Sequence, residues 1–199
     1  HDTWLGPYHR MISTPKYYEV CKNLIAEVTE IFDRPRFFHL GMDEETPQHQ
    51  KHFDYVLVRQ FDLWWHDFFS LVKQVEKNGA RPWIWSDYVW WHPETFYERM
   101  PTTVLQSNWY YRPEFTKKIL AVRSYLDLEQ HGYDQIPTGS NWTCQENFEN
   151  TVKYLRRRID RKRLMGFFMT VWRPSLEVCR ERHMNALDLV AETRKHSRL

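Results

Sequence analysis

Arg36-Phe37-Phe38-His39-Leu40-Gly41-Met42-Asp43-Glu44-Glu45-Thr46 is the stretch on which the reading of this chain turns. It opens as a short apolar run of strand character, breaks at a glycine and ends in three consecutive acids before Thr46. A strand buried on both faces reads as an apolar run rather than a clean alternation. Gly41 allows a sharp backbone turn at its end. The acids then sit at the carboxyl end of the strand, where α/β folds carry their chemistry. Two adjacent carboxylates there do not titrate alike: repulsion and burial raise one pKa and leave the other ionised. The result is a proton donor beside a fixed negative charge, the pairing that cleavage of a glycosidic bond uses. The competing reading is the acidic first turn of a helix, which the helix dipole favours.

Working outward, Thr14-Pro15 reads as an N-cap with proline at the first helical position. Val20, Cys21, Leu24, Ile25, Val28, Ile31 and Phe32 then recur at helical spacing up to Asp33. On the other side of the acids, a polar loop from Pro47 to Phe53 precedes a helix expected over about Tyr55 to Lys77, closed by Asn78-Gly79. Further strands are expected at Ala80 to Asp87, Thr102 to Ser107, Gln135 to Ser140 and Leu164 to Val171. Helices expected at Pro93 to Arg99, Pro113 to Gln130, Gln145 to Lys162 and Ser175 to Lys195 alternate with them. Such alternation implies a parallel sheet with helices outside it.

Every strand ends in side chains fit for chemistry: Asp43-Glu44, Trp85 with Asp87, Asn108-Trp109-Tyr110, Asn141-Trp142 and Trp172-Arg173. That polarity marks a (β/α) barrel. A doubly wound sheet gathers its ligand groups at one switch point and usually carries a Gly-rich phosphate turn, which this sequence lacks. A full barrel has eight strands. The expected fold is therefore α/β, a partial (β/α)8 TIM barrel of about five parallel strands, roughly strands four to eight, with residues 1–199 as one domain. Unpaired edge strands are a liability. The missing strands are expected from the rest of a longer polypeptide or from another chain.

Among 199 residues, 28 Lys+Arg face 26 Asp+Glu, a formal charge of +2 that does not suggest nucleic acid as a partner. The basic run from Arg156 to Arg163 reads as a solvated helix end. Aromatic residues make up 17% of the chain and ten of them are Trp, whose flat apolar faces suit core packing and sugar stacking equally. Cys21, Cys144 and Cys179 show no metal or redox spacing; Cys21 and Cys179 lie on apolar helical faces and are expected to be buried thiols. His39, Asp43, Glu44, His49 and His52 lie close together, but no His-x-x-x-His pair shares a helix with an acid, so no metal is expected. No run is apolar for long enough to span a bilayer. The chain begins at His1 rather than Met, so the lack of a leader carries little weight, and a periplasmic or secreted location is favoured.

Phe37-Phe38-His39-Leu40-Gly41-Met42-Asp43-Glu44 resembles the His-x-Gly-Gly-Asp-Glu signature of family 20 glycoside hydrolases, the β-N-acetylhexosaminidases. Met42 stands where that family usually has a second Gly. The tryptophans at later strand ends resemble the family's pocket walls. The likeness in layout covers most of the chain, while only the Asp-Glu motif is specific. The resemblance implies a substrate-assisted retaining mechanism, an exception to the two-carboxylate rule. The sugar's own 2-acetamido oxygen attacks the anomeric carbon and forms an oxazolinium ion. Glu44 would protonate the leaving oxygen and later activate water; Asp43 would hold the acetamido N–H and stabilise the developing positive charge. The resemblance also implies an aromatic box from Trp85 or Trp83 with Trp109, Trp142 and Trp172. It matches His1 to the histidine after the family's third strand. The implied partner is an N-acetylhexosaminide; no cofactor, nucleic acid or membrane is implied. Glu45 reads as a helix-start or supporting acid, and His39 as a buried, hydrogen-bonded strand histidine.

The sequence departs from the family in three places. The family's strand seven usually carries a Trp-Tyr pair, whereas Ser140-Asn141-Trp142-Thr143 has no Tyr; Tyr110 or Tyr111 is the stand-in. The last strand's Trp-Gly-Glu, which binds sugar hydroxyls, is here Trp172-Arg173-Pro174. The strand-one Arg that grips hydroxyls is not in this chain. These departures favour a rival reading, a catalytically impaired carbohydrate-binding barrel, while the intact Asp43-Glu44 favours the enzyme. Asn141-Trp142-Thr143 is formally a glycosylation sequon, read as accidental because it falls at the expected pocket mouth.

Overall fold

Thr14 caps the first helix as its place before a proline suggests: its side chain accepts the Tyr17 N–H at 3.2 Å, and α1 (Pro15–Ile31) begins there. In this computed structural model residues 12–52 and 58–197 are described, and the chain divides into two units, His1–Ile84 and Trp85–Leu199.

In the first unit α1 is followed by β1 (Phe37–His39) and by α2 (Pro47–Gln50), one short turn of helix within the polar loop, capped by the Thr46 hydroxyl. The next helix, α3 (Asp62–Lys77), starts later than its apolar periodicity suggests. Phe61, just before it, is exposed and takes a left-handed φ of 51°, which no helix continues through. Residues 53–57, where the expected helix would begin, lie outside the described residues. Trp64, Trp65, Phe68, Leu71, Val72 and Val75 form the buried stripe of α3, with Trp64 stacked on Phe68 at 5.2 Å. Burying each such side chain stabilises by ~1.5–3 kcal/mol, which outweighs the weak helix propensity of the aromatics. α1 packs along α3. The Asn78 amide then donates to Gln74 O at 2.8 Å and Gly79 turns left-handed, ending α3 as expected. β2 (Arg81–Trp85) runs parallel to β1, with Phe37 opposite Arg81 and His39 opposite Trp83. Its last residue, Trp85, opens the second unit.

The second unit continues the alternation through α4 (Tyr88–Trp91), α5 (Pro93–Arg99), β3 (Leu105–Ser107), α6 (Leu120–Gln130), β4 (Thr138–Ser140), α7 (Asn147–Leu155), β5 (Phe168–Thr170), a 3-10 turn (Glu177–Cys179) and α8 (Arg180–Ser197). The Ser86 N–H donates to Ser107 O at 3.0 Å, which sets β3 against the end of β2. β4 and β5 pair in parallel, Thr138 opposite Phe168.

The protein is thus α/β with parallel strands, as expected, but the described strands form two small sheets, of three strands and of two, rather than one five-stranded barrel arc. At the break β3 and β4 are joined only by isolated bridges, Gln106 with Gln135 and Trp109 with Thr138, on either side of Ile136, whose carbonyl a side chain takes in place of the ladder. Beside the break, side chains take backbone carbonyls: the Ser107 hydroxyl donates to Ile136 O at 2.6 Å and the Gln106 amide to Val104 O at 3.0 Å.

α7 lies unusually close to β4. A Cβ on Gly139 would sit 3.0 Å from the Phe148 Cα and 3.0 Å from the Thr151 hydroxyl, so any larger residue pushes α7 outward by a few tenths of an ångström. This approach places Asn147, fully buried, where its Oδ1 accepts the Ser140 N–H at 2.9 Å and its Nδ2 donates to Tyr110 O and Arg112 O, each at 2.9 Å. One side chain therefore ties the loop after β3 to the end of β4. Replacing Asn147 with Ala leaves three backbone groups without this partner, the Ser140 N–H among them buried, a loss of about 1–3 kcal/mol. Urea unfolding measures it, and a loss below ~1 kcal/mol would show that the loop is held by other means.

Candidate functional site

The acids sit on a backbone that leaves the strand by a left-handed route. Leu40 N–H makes the last β1 bond, to Trp83 O at 2.8 Å, and Gly41, Met42 and Glu44 then take φ of 75°, 72° and 55°. Glycine does this freely, whereas Met42 and Glu44 each carry about 1–2 kcal/mol of strain. Three contacts hold the turn. His39 Nδ1 accepts the Gly41 N–H at 3.0 Å while its ring meets Trp83 edge-on at 4.6 Å. Burial pushes the His39 pKa down to about 4, so at neutral pH the ring is uncharged and Nδ1 remains an acceptor. Met42 inserts its side chain into the interior.

The third contact is a buried ion cluster. Glu45 Oε2 accepts from Arg59 Nε at 2.9 Å and Oε1 from Arg59 Nη2, while Arg59 Nη1 donates to Asp67 Oδ2 at 3.2 Å. The side chains of Arg59, Glu45 and Asp67 are 6%, 8% and 0% exposed. One guanidinium does not neutralise two carboxylates, and hydroxyls make up the difference: Asp67 also accepts from Ser13 Oγ at 2.7 Å and from Tyr18 OH. Burial and the bond to Asp67 push the Tyr18 hydroxyl up to about 12, which keeps it a donor. Glu45 is thus the supporting acid, turned inward. Asp43 is half-buried and folds back over the turn, its Oδ1 3.7 Å from where a Gly41 Cβ would lie. Glu44 has a side chain 48% exposed, with Oε1 3.7 Å from His49 Nε2. The other nitrogen of His49 meets the Thr46 hydroxyl at 2.8 Å, which fixes the ring beside Glu44.

In the second unit, loops after four strands bring aromatic rings together around Tyr111. Trp109 stacks on it at 5.2 Å; Trp142 and Trp172 meet it edge-on at 6.2 and 6.4 Å. Trp172 also lies 6.1 Å from Trp85, which stacks on Phe168 at 6.0 Å. Trp90 closes on Trp109 at 4.6 Å and its Nε1 donates to the buried Asn108 amide oxygen at 2.9 Å. Ser140 fixes the start of the Trp142 loop: its Oγ accepts the Trp142 N–H at 2.9 Å and donates to Thr170 O at 2.6 Å. Trp85 and Tyr111 are buried, but Trp142 and Trp172 are 47% and 48% exposed. Trp172 also has a φ of 52°, a strained conformation of the kind that gathers at functional sites. The cluster offers a rigid, half-open aromatic surface of the type that lines small-molecule sites.

Of the residues expected at the site, Trp85, Trp109, Trp142 and Trp172 are brought together. Trp83 belongs to the first unit, against His39 and Phe37. Tyr110 faces the helices, edge-on to Phe115 at 5.3 Å and packed on Tyr125, Leu155 and Ile159; the tyrosine in the cluster is Tyr111. Their positions follow from alternation, which puts residues 109 and 111 on one side of an extended chain. His1 lies outside the described residues. Arg59, Asp67 and Asn147 escaped the sequence reading because only the tertiary fold gives them partners. Asn141 of the sequon is buried, its amide bonded to Arg182 O and Asn185 Oδ1. Cys21 and Cys179, expected to be buried, are free and half-buried, as is Cys144. Among the described residues no three His, Cys, Asp or Glu side chains are grouped to hold a metal ion, and no helix is long and apolar enough to cross a membrane.

Met42 lets two effects be weighed. Burying the side chain gains ~1.5–3 kcal/mol, and the left-handed φ costs ~1–2 kcal/mol. Met42→Gly loses the first and relieves the second, whereas Met42→Ala loses most of the first and keeps the strain. Urea denaturation should therefore rank stability as wild type, then Gly, then Ala; Ala more stable than Gly would show that the turn is not strained. No family model and no curated protein matches this sequence.

Proposed function

We propose that the protein is a glycoside hydrolase of the β-N-acetylhexosaminidase type, removing N-acetylhexosamine by a substrate-assisted retaining mechanism. The observation that carries this reading is the convergence of Trp109, Trp142 and Trp172 on Tyr111, with Trp85 against Trp172 and two of the indoles half-open to a ligand. The left-handed turn supports it from the first unit, since it turns Glu45 inward and leaves the Glu44 carboxyl accessible. The same reading takes the short parallel strands as part of a (β/α)8 barrel, about five of its eight. The parallel register of β1 with β2 and of β4 with β5, in chain order, is consistent with it.

In this mechanism the acetamido oxygen of the bound sugar forms a bond to C1 as the C1–O bond to the leaving group breaks. Glu44 gives its proton to that departing oxygen, and Asp43, ionised, accepts the acetamido N–H and stabilises the positive oxazolinium. Glu44, now a carboxylate, takes a proton from the water that attacks C1 and reopens the ring. In this reading Tyr111 holds the acetamido oxygen, and the indoles cover the acetamido methyl and the apolar face of the sugar.

Hydrolysis of an aryl β-N-acetylglucosaminide tests this. Glu44→Gln should lower kcat/KM by ~10²–10⁴-fold, with a smaller loss for aryl groups that leave without protonation. Asp43→Asn should lower kcat strongly, because an amide does not stabilise the cation. Sugar binding without turnover in the wild type would instead favour the binding barrel.

A further inference from the structure

We propose that the second unit carries a binding site for a single-chain alkyl carboxylate: an apolar cavity of about 520 Å3 rimmed by three guanidiniums. The claim is independent of the glycosidase reading. The cavity lies at the end of β5 away from Trp172, because Leu164 to Phe167 lead into that strand and Trp172 follows it. Phe148 and Val152 of α7, Leu164 and Phe167 ahead of β5, and Val190 of α8 supply apolar walls. Phe148 and Val152 are buried, and Leu164 and Phe167 pack on the buried cluster of Tyr125, Leu155 and Ile159, so these walls are held from behind. Sites for small molecules typically span roughly 300–1,000 Å3, and this cavity falls within that range.

Charge decides what the cavity suits. Arg156 directly follows α7, Arg161 lies in the turn beyond it and Arg194 stands in the last turn of α8; all three line the cavity, and no carboxylate does. Cations commonly sit at helix C-termini, where each macrodipole presents about −0.5 of a charge. Two such ends offset roughly one of the three positive charges, which leaves about +2 beside an apolar wall. Other arginines of this unit are paired: Arg163 with Glu129, Arg123 with Asp127 and Arg180 with Glu177. Arg161 and Arg194 have no ion-pair partner among the described residues. Thr193, 4% exposed, lines the same cavity, and its hydroxyl has no hydrogen-bond partner among the described residues. A carboxylate head accepts from the guanidiniums and from that hydroxyl, while a hydrocarbon tail covers the apolar walls. A sugar would bury hydroxyls against Phe148 and Val152, and a cationic amphiphile would meet like charge.

Isothermal titration calorimetry tests this with hexanoate, octanoate and decanoate, each below its micelle concentration, and with acetate and decyltrimethylammonium as controls. Decanoate should saturate at one per chain, with affinity rising about fourfold for each methylene added along the series. Acetate, a head without a tail, should bind more than about a hundredfold more weakly, and decyltrimethylammonium should fail to displace decanoate. The double variant Arg161→Gln with Arg194→Gln changes two exposed positions and is checked for folding by circular dichroism. It should weaken decanoate roughly tenfold or more while keeping the gain per methylene. Val190→Trp, which fills the cavity, should flatten that gain instead. Affinity that ignores chain length, decyltrimethylammonium binding as tightly as decanoate, or decanoate affinity unchanged in the double variant would overturn the site. Binding to phosphatidylglycerol vesicles with no binding of free decanoate would also overturn it, since the arginines would then serve a membrane surface.

Discussion

One guanidinium, that of Arg59, holds the candidate chemistry of the first unit in place. It grips Glu45 through two nitrogens and Asp67 through a third, all in the interior. Breaking one arm of such a buried cluster costs about 3–5 kcal/mol, because a charge is left without its partner. That is of the same size as the strain at Met42 and Glu44 combined, about 2–4 kcal/mol. The clamp can therefore keep the chain in a conformation that non-glycine residues otherwise avoid. Pulling Glu45 inward sets the direction of the turn, so that Glu44 emerges beside His49 and Asp43 folds over Gly41. His39 adds a neutral acceptor at the base of the turn, and α3, through Asp67, supplies the rigid wall behind it.

The aromatic cluster is built on a different principle. Its rings stand at the ends of short strands, and their loops are positioned by buried amides and hydroxyls rather than by charge. Asn108 fixes Trp90, Asn147 fixes the chain at Tyr110 and Arg112, and Ser140 fixes the Trp142 loop. Neutral hydrogen bonds satisfied in the interior locate a loop without the desolvation cost of a buried ion. Trp142 and Trp172 can then stand half-open to solvent while Tyr111 and Trp85 anchor them from below.

Much of this was legible in the sequence where local chemistry decides. Thr14-Pro15 marked the start of α1, Asn78-Gly79 the end of α3, and Gly41 the turn before the acids. The strand-end tryptophans were visible as a pattern, and four of them do converge. The rest depends on distant partners. α6 starts at Leu120 rather than near Pro113, and the chain ahead of it is tied by Asn147 and Asn150, which donate to Arg112 O and Pro113 O. No helical periodicity encodes those bonds. The bond from the Ser107 hydroxyl to Ile136 O, where the two sheets part, has no local signal in the sequence either. Arg59 and Asp67 looked like unremarkable charges near a helix start, because nothing local shows that they meet Glu45.

The central claim is that the substrate's own acetamido oxygen is the nucleophile, with Asp43 and Glu44 serving it. A series of aryl glycosides in which the N-acetyl methyl bears one, two and then three fluorines tests this directly, since each fluorine draws electron density from that oxygen. The account predicts that kcat falls steeply along the series. A rate that stays level as fluorines are added would mean that another group attacks the anomeric carbon, and the roles given to both acids would be wrong.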